Sequence, residues 1–100
     1  MKTRYSDDVA ALMQTVLTAP GATEIDAREA ASRGGGLPPV LEDYVAKVRW
    51  ESHRITDGDV SRLLANGYSE DEIFEITVAA ALGIAASSLE TALGAMKADR

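Results

Sequence analysis

His53 is the single histidine of the chain, and it sits in the run Trp50-Glu51-Ser52-His53-Arg54. An imidazole titrates near neutral pH and can act as general acid or base, a role that typically contributes ~10²–10⁴-fold to a rate. Glu51 is the carboxylate nearest to it in sequence, and Trp50 with Tyr44 are the aromatic side chains that would line a pocket for a small carboxylic acid. These residue types support cofactor-free proton transfer of the lyase or decarboxylase kind, with His53 and Glu51 as the catalytic candidates and Trp50 and Tyr44 as the binding ones. The same pocket could hold a small acid without turnover. Spacing opposes the catalytic pairing: residues two apart on one helix point in different directions. An acid–base pair therefore requires the helix to break between Glu51 and His53, or a second subunit to supply one member. A histidine near a helix C-terminus is also favoured by the helix dipole alone, so the enzyme reading needs a cavity beside His53.

Other chemistries find less support. The chain has no cysteine, which removes disulfides, thiolate metal sites and redox thiols. One histidine with scattered carboxylates lacks the Glu-X-X-His pairs of carboxylate-bridged helical bundles, so no metal and no cofactor are expected. No Gly-X-Ser-X-Gly elbow marks a serine nucleophile. Gly34-Gly35-Gly36 is followed by no Gly-Lys-Ser or Gly-Lys-Thr and preceded by no strand, so it reads as a flexible linker rather than a phosphate loop. Glu70, Asp71, Glu72 and Glu75 cluster at a helix start, where the dipole explains them as a solvated face. A formal net charge of −6 argues against a nucleic-acid partner, which needs a basic patch to displace counterions. The opening MKTRYSDD places no apolar run behind its positive charges, and the longest uncharged run, Ile76 to Leu89, is short of the ~20 residues that span a membrane. A cytoplasmic chain with no membrane partner is the expectation.

The elements that must position these residues are all helical. Ser6, before Asp7 and Asp8, reads as the N-cap of a helix over 6–19 whose apolar face is Val9, Leu12, Met13, Val16 and Leu17. Pro20-Gly21 ends it. A weaker helix over 24–32 follows, with Thr23 and Asp26 as an approximate capping box and an apolar face of Ile25, Ala27, Ala30 and Ala31. It should order only against a neighbour. After the glycine linker at 33–37, Pro38-Pro39 start a helix with an apolar stripe of Val40, Leu41, Tyr44, Val45 and Val48 that is expected to continue to Trp50. Thr56 with Asp59 caps a helix of Val60, Leu63 and Leu64, closed by Asn66-Gly67. Ser69 to Glu72 form a capping box that opens the longest helix, to about Lys97.

That last helix is apolar on several faces: Phe74, Val78, Leu82 and Leu89 form one stripe, and Ile73, Ile76, Ala80 and Ile84 another. Such a helix is normally buried between partners. Ala79, Gly83 and Ser87 add a smooth strip where another backbone could come close. No alternating strand pattern and no long internal repeat are present. The expected fold is a single all-α domain over 1–100 of about five helices, with the C-terminal helix central. A domain of this length buries only roughly 60–68% of its unfolded surface, and much of its 46% apolar content is alanine. Ala buries little area, so further burial through self-association is expected.

The stretch from Leu41 to Leu93 resembles the C-terminal part of the alkylhydroperoxidase D-like, or carboxymuconolactone decarboxylase, superfamily. The phrases that carry the likeness are Leu41-Glu42-Asp43-Tyr44-Val45-Ala46-Lys47, Thr56-Asp57-Gly58-Asp59-Val60, Leu63 to Gly67, and Tyr68-Ser69-Glu70-Asp71-Glu72-Ile73 with the Ala-rich helix after it. The resemblance implies an AhpD-like helical core over 38–97 with the long helix at its centre, and homo-oligomers, often with threefold symmetry. It also implies peroxidase or decarboxylase relatives. The peroxidases use a Cys-X-X-Cys motif with a histidine and a glutamate relay, and without cysteine that mechanism does not carry over. His53 and Glu51 are of the relay's types, but their spacing to Gly67 is longer than the family's and they are not equated with it. The resemblance therefore points to a chemically silent, oligomeric member. The alternatives are a cofactor-free lyase or decarboxylase using His53 near a subunit boundary, and a small-ligand binder.

Overall fold

The element that organises the chain starts where Ser69 and Glu72 exchange bonds. The Glu72 N–H donates to Ser69 Oγ at 3.1 Å, and the Ser69 N–H donates to Glu72 Oε1 at 2.9 Å. This reciprocal cap satisfies two of the donors that a helix start leaves open. The computed structural model describes residues 4–18, 20–21 and 23–98, with side chains described for 8, 10–17, 20–21 and 23–96. Among these the chain runs as α1 (Arg4–Thr18), α2 (Ile25–Arg33), α3 (Pro39–Trp50), a 3₁₀ turn (Ser52–Arg54), α4 (Asp57–Ala65) and α5 (Glu70–Ala98). The described residues form no strand. The fold is all-α with five helices and a long C-terminal one, as the sequence predicts.

Most of the predicted punctuation is realised. Pro39 opens α3 behind Pro38. Thr56 and Asp59 form a complete capping box at the start of α4. Gly67 adopts a φ of 95°, and the Gly67 and Tyr68 N–H groups donate back to the Leu64 and Leu63 carbonyls, the paired pattern of a Schellman cap. Three expectations are corrected. First, α1 begins at Arg4, so Ser6 lies within its first turn rather than before it. Second, Thr23 and Asp26 make no capping box: Glu24 precedes α2 without a side-chain cap, and the Thr23 hydroxyl donates to the Glu72 carbonyl of α5. Third, the glycine linker is an ordered cap. The Gly34 and Gly35 N–H groups return to the Ala31 and Ala30 carbonyls, with Gly34 at a φ of 83°, again a Schellman arrangement.

The core gathers on one side of α5. Ile73, Ile76, Ala79 and Ala80 are buried there against Ala30 and Ala31 of α2, Leu41, Tyr44, Val45 and Val48 of α3, Leu63 of α4 and Leu17 of α1. The tightest approach is between α2 and α5. Gly83 lies against the Ser32 backbone carbonyl, which a Cβ at that position would overlap. Arg49 NH1 donates to the same carbonyl at 2.5 Å, so the end of α2 is held between α3 and α5. Arg28 is buried and donates to the Val16 carbonyl at 3.1 Å, joining α2 to the last turn of α1. Glu75, expected on a solvated face, instead accepts from the Thr23 N–H at 2.7 Å and pins the loop before α2.

The long helix is not enclosed along its length. Of its two apolar stripes, the one with Ile73, Ile76 and Ala80 is the buried one, whereas Phe74 is 69% exposed, Leu89 42% and Met96 65%. Within one chain, therefore, the expected all-round burial holds only for the inner face as far as Gly83. The Cα radius of gyration is 14.8 Å and the longest extent 52 Å, against ~13 Å for a compact domain of this size. The difference is the overhang of α5.

Gly83→Ala should remove about 1–3 kcal/mol of stability by overpacking, lowering Tm by several degrees. Gly94→Ala, where an added Cβ meets nothing, should add up to about 1 kcal/mol through helix propensity. Thermal unfolding of the two variants checks this, and equal shifts would contradict the close contact.

Candidate functional site

The Glu51 backbone decides what the candidate residues can do together. Its φ and ψ of −143° and 41° end α3, so the break that an acid–base pairing requires is present. The pairing does not follow. Glu51 turns to Arg54, with Oε1 3.7 Å from the guanidinium, and His53 stands exposed on the 3₁₀ turn.

A cleft of about 500 Å³ opens between α3 and α4, and Tyr44, Trp50 and Glu51 line it. His53 is not among its lining residues. Three of the four predicted site residues thus meet, and the one base among them is outside. Tyr44 is buried at the floor, its hydroxyl 2.7 Å from Thr77 Oγ1 on α5. Thr77 spends its only hydroxyl proton on the Ile73 carbonyl at 2.6 Å, so Tyr44 is the donor of the pair. That bond fastens α3 to α5. Trp50 is 69% exposed at the rim, with the Arg49 guanidinium 5.5 Å above its ring, within cation–π range.

The polar wall comes from residues outside the sequence-based candidates. Lys47 Nζ donates to both oxygens of Asp59, at 2.8 and 3.0 Å, tying α3 to α4. Arg62 lines the same cleft one turn beyond Asp59. The available signal was helical spacing: Tyr44 and Lys47 share one face of α3, and Asp59 and Arg62 one face of α4. Asp59, a cap by sequence, serves as cap and ion pair at once. The Lys47 ammonium, followed by the Thr56 backbone N–H, holds the Asp59 carboxyl below the ordinary carboxylate range, with a smaller opposing effect of burial. Among the described residues no group of three or more His, Asp or Glu side chains is placed to hold a metal ion.

No family model, curated protein or solved structure matches the chain. The likeness to the AhpD-like proteins accordingly rests on the phrases between Leu41 and Leu93 alone.

A carboxylate whose folded pKa is depressed contributes stability that is present above its unfolded value of ~3.9 and is lost as pH falls through the lower folded value. Lys47→Ala removes the larger cause. The Asp59 titration followed by NMR should then move up toward the ordinary range, and the part of the acid-side loss of stability that comes from Asp59, confined between its folded and unfolded values, should become smaller. An unmoved Asp59 titration would show that Lys47 does not set it.

Proposed function

We propose that this protein is a non-catalytic, cytoplasmic, homo-oligomeric helical module, similar in plan to the AhpD-like proteins and without thiol peroxidase chemistry. The observation that carries this reading is the outward stripe of α5, where Phe74, Leu89 and Met96 are exposed on a chain whose inward face is already filled. Contiguous apolar surface on a soluble protein marks an interaction site. The silent character is supported by the separation of His53 from the cleft and by the engagement of Glu51 with Arg54. A general base has to reach the proton it removes, and His53 does not line the cleft.

A second reading is binding of a small carboxylic acid in the cleft between α3 and α4. It is favoured by Arg62, a cation on the cleft wall that forms no ion pair among the described residues. The Arg fork suits a carboxylate.

Sedimentation equilibrium at micromolar concentration tests the main reading, with an oligomer expected. A stable monomer would contradict it. His53→Ala should leave both folding and assembly unchanged, and loss of turnover of a small carboxylic acid in that variant would establish an enzyme instead.

A further inference from the structure

We infer that the outward stripe of α5 pairs with the same stripe of a second copy, antiparallel and about a twofold axis near Ala85; this rests on the self-associating reading above. At 100° per residue, Phe74, Val78, Ala81, Leu82, Ala85, Leu89, Ala92 and Met96 fall on one side of the helix. That side is opposite the buried line of Ile76, Ala79 and Gly83. The stripe runs six turns, ~33 Å at 1.5 Å per residue, and carries no charged residue between Phe74 and Met96.

The second copy is the occupant because the stripe complements itself in this one sense. Reflection about Ala85 sets Phe74 opposite Met96, Val78 opposite Ala92, Ala81 opposite Leu89 and Leu82 opposite Ser88. Each larger side chain except the end pair faces a small one, which lets two helices approach closely and fill the seam. Charge agrees. The first turn of α5 is acidic, with Glu70, Asp71 and Glu72, and Lys97 follows the stripe at the other end. Antiparallel packing brings Lys97 of one copy within three residues of Glu70 and Asp71 of the other, whereas parallel packing would stack acidic turn on acidic turn. The two helical bodies then lie on opposite sides of the seam. A contact of this kind is isologous and closes on itself.

A bilayer is the rival occupant of such a stripe. Glu70–Met96 is long and apolar enough to cross one, with a mean hydropathy of 1.6 over its most apolar window and 17% of that window buried. The packing argues otherwise. The body grips α5 as far as Gly83, leaving 13 residues to Met96, ~20 Å of helix against a hydrocarbon core of ~30 Å.

The absence of native cysteine makes single introduced thiols unambiguous reporters. Ala85→Cys should form a disulfide-linked dimer under mild oxidation. An equimolar mixture of Phe74→Cys and Met96→Cys should link chiefly to each other, since a disulfide needs Cα atoms within about 7 Å. Leu89→Glu, at a position already partly exposed in the single chain, should give a monomer of unchanged helicity. Predominant Phe74–Phe74 and Met96–Met96 links, or a trimer insensitive to Leu89→Glu, would overturn the antiparallel pairing while leaving the oligomeric module standing. A monomer with no links at all would remove both. Flotation of the protein with phosphatidylcholine vesicles, with loss of the Ala85 link, would assign the stripe to lipid and overturn the pairing.

Discussion

The contact on which the structure depends is the seating of the Ser32 carbonyl against Gly83. It lets the end of α2 come closer to α5 than any residue with a side chain would permit, and Arg49 completes it by donating to the same oxygen. An exposed helix of nine residues is marginal in water by itself. Here α2 survives because Ala30 and Ala31 are buried and its C-terminus is capped by Gly34 and Gly35. Once α2 is seated, the inner face of α5 is filled, α1 is attached through Arg28 and Val16, and α3 is held by Tyr44 and Thr77.

This way of building a core has a cost in buried area. The inward face of α5 is made largely of Ile73, Ile76, Ala79, Ala80 and Gly83, small at the places of closest approach. Small residues let backbones approach but remove little apolar surface from water, at roughly 25 cal/mol per Å². The larger apolar groups Phe74, Leu89 and Met96 are on the outside. Burying a Phe, Leu or Met side chain is worth about 1.5–3 kcal/mol, a quantity comparable with a sizeable part of a small domain's stability. The exposed outward stripe is thus a sizeable unused source of stabilisation in the single chain.

The sequence was most legible where local rules act. The capping boxes at Thr56 and Ser69, the Pro39 start, the left-handed Gly67 and the two stripes of α5 are local patterns, and each has its counterpart in the structure. It was least legible where a side chain leaves its own element. Thr23 and Glu75 were assigned to a cap and a solvated turn, but they meet each other across 52 positions of sequence. Arg28 and Arg49 end on carbonyls of other helices, which no spacing rule announces. For the site, the aromatic and acidic candidates Tyr44, Trp50 and Glu51 were found by residue type and proximity in sequence. Lys47, Asp59 and Arg62 required knowing that α3 and α4 face each other. His53 is a candidate by residue type alone, and no local rule says whether the turn after Glu51 puts it in the cleft; it is not among the lining residues.

In the proposed assembly the two faces of α5 have different partners: its own chain inside, another copy outside. Hydrogen exchange resolved along α5 at two protein concentrations separates these directly, because amide protection reports the stability of each region. Amides from Ile73 to Gly83 are expected to be protected at both concentrations, with protection from Ala85 to Met96 appearing or strengthening only at the higher one. Protection of the overhang that is independent of concentration, or absent at both, would contradict it.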